Sequence, residues 1–237
     1  MKTQLIAGIL TFCGSVACSH AAPLTLSDWA ADGTVTTVRF ANHTPRANGM
    51  LNAGGFVSSI PGSLDPLMQS FVSWCIDIFQ PAHIGATVSD YSQVSLAQYG
   101  SLSAERGAML GNLASIAYDQ SRDSSVYSGA FQLAVWEIVN ETSAHLNLSN
   151  GTFKTFNAND NSIELAQQWL NALPQQQSRF GFNIFASPTA QDVIHFFELP
   201  PPAAAEPGSV PEPGALALIA LAGAAAVATR RRRALAA

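Results

Sequence analysis

The stretch most informative about the fold is FVSWCIDIF, residues 71–79. It is rich in aromatic and β-branched residues and lies between segments that contain glycine, proline and polar residues, a composition typical of a β-strand. Because successive side chains of a strand point to opposite faces, the odd-numbered residues share one face and the even-numbered residues share the other. Both faces are mostly apolar, so we expect a strand that is buried, or nearly so, on both sides.

A helix is predicted further along the chain, over SGAFQLAVWEIV, residues 128–139. Its apolar residues recur at helical spacing, with Phe131, Val135 and Ile138 on one side. Ser128 is a suitable N-cap residue. If the helix begins there, Gln132 lies near the first turn, close to the positive end of the helix dipole.

The segments around these two elements predict an α+β fold. Strands, then helices, then strands again favour a mainly antiparallel sheet with about three helices grouped together. The predicted strands cover residues 24–26, 34–40, 71–79, 180–185 and 193–199, with a further strand beginning at 54–57, and the predicted helices cover residues 103–117, 128–139 and 163–173.

The N-terminus has the composition of a secretory signal peptide. A positively charged start is followed by an apolar run from Leu5 to Val16 and by small residues suited to cleavage at Ala21. We therefore assign residues 1–21 to a signal peptide. Lipid attachment at Cys18 is a weaker alternative, because a serine stands where a lipoprotein box usually has leucine.

The C-terminus contains three elements in a fixed order: VPEPG at 210–214, an apolar run from Ala215 to Thr229, and four consecutive arginines. The prolines prevent a helix from continuing into the preceding segment, and the arginines resist crossing a membrane. The apolar run predicts a C-terminal helix, but it is shorter than the roughly 18 to 20 residues of a stable span. A transient insertion is therefore favoured over a permanent anchor, which stays open as the alternative.

This arrangement resembles the C-terminal sorting tail of bacterial PEP-CTERM proteins, and it covers about the last tenth of the chain. The resemblance implies that an exosortase in the inner membrane recognises and cuts the tail. It also implies a transient stay in the inner membrane and a final location in the cell envelope or extracellular matrix. The matching residues are the sorting motif Pro211, Glu212 and Pro213 and the stop-transfer cluster Arg230, Arg231, Arg232 and Arg233.

Between the termini the chain is long enough for one domain at 22–199, followed by a Pro/Ala linker at 200–209 and the sorting tail at 210–233. Without Lys2 and the four terminal arginines, 6 of the 11 basic residues remain, against 15 of the 16 acidic residues once Glu212 is set aside. The body therefore carries a net charge near −9. An acidic body without a basic stripe argues against nucleic-acid binding.

The cysteine count leaves a single thiol in the mature protein. Of the 3 cysteines, Cys13 and Cys18 lie in the predicted signal peptide, so only Cys75 remains after cleavage. A lone thiol in an exported protein has no internal partner for a disulfide. It indicates an intermolecular bond, a reactive group or a buried inert cysteine.

The segments around Cys75 and Gln132 resemble the paired motifs of Cys-Gln thioester domains. The first is WCID at 74–77 and the second is FQLAVW at 131–136. The resemblance implies an intramolecular thioester whose sulfur comes from Cys75 and whose acyl carbon comes from Gln132. It also implies a covalent surface adhesin that reacts once with an amine on a surface or polymer. We therefore expect no enzymatic turnover, no catalytic residues and no cofactor.

A thioester survives only where water is kept away until an amine arrives. Bulky aromatic side chains in and beside the two motifs can exclude water. Asp77 and Glu137 are candidates for moving a proton. The expected shielding residues are Trp74, Phe79, Phe131 and Trp136.

Two other interpretations stay open. In the first, Cys75 is an inert core residue and Gln132 hydrogen-bonds to backbone groups, so the protein is a noncatalytic structural or glycan-associated matrix protein. In the second, Cys75 is a catalytic nucleophile paired with His83, His145 or His195. The sequence contains no metal-binding spacing of histidines and no nucleotide-binding or serine-hydrolase motif.

Overall fold

The computed structural model describes residues 21–173 and 178–201. The chain divides into two units, Met1–Pro200 and Pro201–Ala237, and nearly all described residues belong to the first. The predicted signal peptide up to residue 20, most of the linker and the whole sorting tail, with its predicted apolar helix, lie outside the described residues. Within the described ranges, no helix combines the length and the apolar character needed to span a membrane.

The described part of the chain contains nine strands and five α-helices. The strands are β1 (Ala22–Trp29), β2 (Thr36–His43), β3 (Arg46–Ala53), β4 (Phe56–Ser59), β5 (Phe71–Cys75), β6 (Thr87–Val94), β7 (Phe153–Phe156), β8 (Phe180–Ala186) and β9 (Val193–Glu198). The helices are α1 (Pro66–Gln69), α2 (Leu96–Tyr99), α3 (Ala104–Ala117), α4 (Ser125–Asn140) and α5 (Ser162–Asn171), and a 3-10 helix at Gln120–Arg122 precedes α4.

Six strands form a closed barrel in the order β1-β4-β5-β9-β8-β6, and every neighbouring pair is antiparallel. The other three strands form a separate antiparallel sheet in the order β3-β2-β7. Helices α3, α4 and α5 pack against one another. Helix α4 also contacts β5 of the barrel and all three strands of the small sheet, so it connects the two layers.

The predicted α+β class, with antiparallel strands and three longer helices packed together, is confirmed. The expectation of one main sheet was wrong, because the strands divide between a barrel and a small sheet. Strand β3, with the sequence RANGMLNA, was not predicted because asparagine and glycine have low strand propensity. Its pairing with β2 along its whole length makes it a strand. Strands β6 and β7 were also missed.

Strand β5 is buried on both faces but ends earlier than predicted. Residues Phe71, Ser73, Trp74 and Cys75 are all buried. After Cys75 the chain leaves the ladder and turns, and the Asp77 carboxylate accepts a hydrogen bond from the Phe79 backbone N–H at 2.7 Å. Asp77 and Phe79 therefore do not share a strand face with Cys75, which corrects the prediction from alternation.

Helix α4 begins one turn earlier than predicted. Ser124 is its N-cap, and the Ser124 hydroxyl accepts a hydrogen bond from the Tyr127 backbone N–H. Ser128 instead lies inside the first turn, where its hydroxyl accepts from the Gly55 backbone N–H at 2.9 Å. Gln132 is therefore about two turns into the helix, beyond the region where the dipole has its effect. The expected position near the positive end of the helix was wrong.

Two glycines allow very short packing distances, one between α4 and β2 and one between the residue before β4 and β5. A Cβ on Gly129 of α4 would overlap the Thr36 side chain of β2. A Cβ on Gly55 would lie 2.8 Å from the Trp74 indole. Only hydrogen atoms fit at these positions. These contacts hold α4 close to β2 and hold the chain before β4 close to Trp74.

Candidate functional site

Cys75 at the end of β5 and Gln132 in α4 lie against each other, although 57 residues separate them in the chain. The Cys75 backbone N–H donates to Gln132 Oε1 at 2.9 Å, and Gln132 Nε2 donates to the Cys75 carbonyl oxygen at 2.7 Å. Cys75 is 1% exposed and Gln132 is 0% exposed. The carboxamide is therefore held in one orientation against the residue that carries the sulfur.

The Cys75 thiol is protonated in this environment. Burial raises the pKa of the Cys75 thiol far above its ordinary value, and the nearby charges of Asp77 and Asp192 raise it further. The thiol donates a hydrogen bond to the Asp77 backbone carbonyl at 2.8 Å. That hydrogen bond and the indole of Trp136 oppose the rise in pKa without cancelling it.

The Trp136 indole N–H is a buried donor without an acceptor. It lies close enough to the Cys75 sulfur to lower the pKa of the thiol. It does not reach full hydrogen-bond geometry with the sulfur, and no other acceptor in the described residues satisfies it. Because an unpaired buried donor is uncommon and costs free energy, this N–H is available to a group that gains negative charge nearby.

Three of the four expected shielding residues are buried. Trp74 and Phe131 pack with their ring centroids 4.5 Å apart, and Trp136 packs against Phe153 at 6.4 Å. Phe79 is different, because it lies in the loop after β5 and is 46% exposed. The structure does not place Phe79 with the pair.

A cavity of about 430 Å³ reaches both Cys75 and Gln132. Trp29, Phe56 and Trp136 give it aromatic walls, and Asn52 and Gln191 add amide groups. Every residue that lines it in the described part of the chain is uncharged. The cavity therefore connects the sulfur and the carboxamide with an uncharged space of mixed polar and apolar lining.

Sequence reasoning missed most residues of this cavity wall. They come from β1, β3, β4 and the loops around residues 82–84 and 191, which are far apart in the chain. No spacing rule connects such segments. The barrel and the small sheet bring them together only after folding.

The two acidic candidates for proton movement have other contacts. The Asp77 carboxylate accepts the hydrogen bond from the Phe79 backbone N–H that stabilises the turn after β5. Glu137 is fully buried, and its Oε1 accepts from the Asn147 backbone N–H at 2.6 Å, while Oε2 has no partner in the described residues. Burial raises the pKa of the Glu137 carboxyl to about 8. Its hydrogen bond goes to the loop after α4 and not to Cys75 or Gln132.

No hydrogen bond joins Cys75 to a histidine in residues 21–173 and 178–201. His83 and His145 are exposed. His195 is buried, its Nδ1 lies 3.0 Å from the Val72 carbonyl oxygen, and burial lowers its pKa. His195 lines a different cavity of about 680 Å³, which does not include Cys75 or Gln132. In the same ranges no cluster of potential metal ligands is found.

The end of the chain matches a known family. Residues 209–233 match the PEP-CTERM protein-sorting motif, which confirms the resemblance seen in the sequence. The motif implies export, processing by an exosortase, which is a membrane protease, and sorting to the cell envelope or extracellular matrix. A search of the curated proteins found no match.

Two similar solved structures are N-terminal thioester domains of a surface protein from Clostridium perfringens. One is a cysteine-to-alanine mutant, with a TM-score of 0.41 and 12% identity, covering 60% of this chain and 89% of that one. The other has a TM-score of 0.40 and 11% identity, covering 68% of this chain and 99% of that one. The structural similarity is weak.

Proposed function

We propose that this exported, exosortase-sorted protein is a surface adhesin that binds amines covalently through a thioester between Cys75 and Gln132. The observation that carries the proposal is the double hydrogen bond between the Gln132 carboxamide and the Cys75 backbone, at the base of an uncharged cavity. The resemblance of residues 74–77 and 131–136 to paired thioester motifs supports the same chemistry.

The first step would form the thioester. The Cys75 sulfur adds to the carbonyl carbon of the Gln132 carboxamide, the C–N bond breaks, and the nitrogen leaves as ammonia with the proton of the thiol. The Cys75 N–H already donates to Gln132 Oε1, so it can stabilise the negative charge that develops on that oxygen. The Cys75 carbonyl accepts from the nitrogen that departs.

The second step would transfer the acyl group to a target. An amine adds to the acyl carbon, the new C–N bond forms, and the C–S bond breaks. The sulfur takes the proton that the amine loses and becomes a thiol again. A thiolate in this buried place is costly, so the unpaired Trp136 N–H beside the sulfur is well placed to stabilise it as it departs. The product is an amide, and the protein reacts once.

A noncatalytic matrix protein is the second candidate, and one observation favours it. Both polar atoms of the Gln132 carboxamide already have backbone partners, and the Cys75 thiol is buried and protonated. In this role the hydrogen bonds between Gln132 and Cys75 would only stabilise the packing of α4 against the end of β5.

The intact mass of the purified protein distinguishes these functions. A thioester makes the chain lighter by one ammonia and allows methylamine to add. Cys75→Ala and Gln132→Ala should each remove both effects. The thioester is excluded if the unsubstituted protein has its full mass and a titratable thiol, or if the mass deficit persists in Cys75→Ala.

A further inference from the structure

The exposed part of the cavity lining over Cys75 and Gln132 consists of two apolar side chains and the amide of Asn52. Met50, in β3, is 55% exposed, and Ile84, in the loop between β5 and β6, is 40% exposed, and both line the cavity. The position of Ile84 is fixed by a β-bridge to Leu26 and by the hydrogen bond from the Gly85 N–H to the Leu26 carbonyl at 2.7 Å. Met50 is fixed by its pairing with Arg39 of β2.

None of the described residues that line this cavity carries a charge that could compensate a second charge on the entering molecule. The two carboxylates that act on the Cys75 thiol, Asp77 and Asp192, are not among the lining residues. Leu51, Phe56 and Ala82 are further apolar lining residues, and the polar lining groups are side-chain amides, indole N–H groups and the Cys75 thiol. An ammonium group held between Met50 and Ile84 would lose hydration without gaining a carboxylate partner among the described lining residues. Arg39, the register partner of Met50, carries a charge of the same sign as an ammonium and so provides no counter-charge beside Met50.

From this arrangement we infer that Met50 and Ile84 determine which amines reach the acyl group. They favour a primary amine on an uncharged hydrocarbon stem, which packs between them, and they disfavour an amine that carries a second positive charge. The inference rests on the proposed thioester. The reacting amine adds in its neutral form, because an ammonium nitrogen has no lone pair to attack the acyl carbon.

An amine series tests this selectivity on the full protein. The probes are methylamine, n-butylamine and 1,4-diaminobutane, and the rate of adduct formation is followed by intact mass and corrected for the fraction of neutral amine. We expect n-butylamine to react at least about tenfold faster than methylamine, because three added methylenes leave water. We expect 1,4-diaminobutane to react more slowly than n-butylamine, although it has two amino groups.

Substitutions of Ile84 distinguish the effect of an added charge on the amine rates from the effect of losing an apolar contact. Ile84→Asp should reverse the order and favour 1,4-diaminobutane, whereas Ile84→Asn should only reduce the advantage of n-butylamine. Leu67→Asp is the matched control, since Leu67 is an exposed apolar residue outside this cavity. It should keep the order of the unsubstituted protein. The ammonia deficit of each variant shows whether its thioester has formed.

The outcomes distinguish the two proposals. Equal corrected rates for the three amines, with the mass deficit intact, would overturn the selectivity and leave the thioester in place. The same conclusion follows if Ile84→Asp and Leu67→Asp show the same order of rates. A full mass in the unsubstituted protein overturns the thioester and the selectivity together.

Discussion

Trp136 and Trp74 are two buried indoles that differ in what lies beside their N–H groups. Neither Nε1 atom has a hydrogen-bond acceptor in the described residues. Only Trp136 lies beside the Cys75 sulfur and lines the cavity, whereas Trp74 packs against Phe131 and Gly55. The same side chain is therefore expected to have a chemical role at one position and a packing role at the other.

Replacing Trp136 by phenylalanine should slow methylamine addition by about tenfold to a hundredfold, because the departing sulfur loses a hydrogen-bond donor. The matched Trp74→Phe variant should keep the rate of the unsubstituted protein. Both rates can be measured by intact mass over time. Faster hydrolysis with unchanged methylamine addition in Trp136→Phe would contradict the donor role and indicate that Trp136 only excludes water.

Glu137 gives the protein a predictable pH dependence of stability. Burial raises the pKa of its carboxyl from 4.5 to about 8 in the folded state. Between these values the folded chain holds a proton that the unfolded chain has lost, so the free energy of unfolding should fall as the pH rises through this window. The groups whose charges act on it are Glu141, which raises its pKa, and Arg106, which lowers it.

Glu137→Gln should therefore flatten the decrease in stability between about pH 5 and pH 8. The amide keeps an oxygen for the Asn147 N–H and cannot ionise. Denaturant unfolding at several pH values measures the effect. Glu164→Gln, at an exposed position of α5, is the control and should keep the slope. An unchanged slope in Glu137→Gln would show that another group causes the dependence.

At the level of elements, the position of α4 depends on how closely it packs on β2. Gly129→Ala places a methyl group into the Thr36 side chain. The gain in helix propensity is at most about 1 kcal/mol, and we expect the overlap to outweigh it, with a net loss of about 1–3 kcal/mol in the free energy of unfolding. The ammonia deficit should also decrease, because relieving the overlap with Thr36 shifts α4, and Gln132 with it, from its position against Cys75.

Gly49→Ala in β3 is the control for this change, because a Cβ there would meet Phe40 at an ordinary 3.7 Å. Urea unfolding and intact mass of both variants give the comparison. If Gly129→Ala is as stable as Gly49→Ala and keeps a full ammonia deficit, the close packing of α4 is not needed for the site.

The elements that could be predicted from the sequence are those with strong local patterns. Runs of aromatic and β-branched residues identified β5, β8 and β9, and helical spacing identified α3, α4 and α5. The start of α4 was misplaced because Ser124 and Ser128, one turn apart, are both suitable N-caps, and only the hydrogen bond from Gly55 gives Ser128 its other role.

The same contrast holds for the site. Cys75 and Gln132 could be predicted because each lies in a recognisable local motif. The exposed position of Phe79 could not, because it depends on where β5 leaves the ladder. The outer cavity residues Met50 and Ile84 also carry no sequence pattern, since the closure of the barrel and the pairing of β3 bring them together.

The whole molecule combines the described domain with the sorting tail at 209–233. We expect the exported protein to be cut near Pro211, so that the recovered chain lacks the four terminal arginines. Mass spectrometry of C-terminal peptides from the cell envelope or matrix measures this. Alanine at Pro211, Glu212 and Pro213 should leave the tail intact. Intact arginines on the unsubstituted protein in membranes would contradict cleavage and favour a retained anchor.

Strand β9 is the last strand before the linker, and it is paired on both sides, with β5 and with β8, inside the closed barrel. A target joined to Gln132 would pull on the middle of α4, while an attachment beyond the linker would pull on the end of β9. Tension between these points would act on a strand that is hydrogen-bonded on both sides, so both ladders must break before β9 leaves the barrel. If the proposed adhesin is attached beyond the linker, a last strand paired on both sides is suited to carry mechanical force.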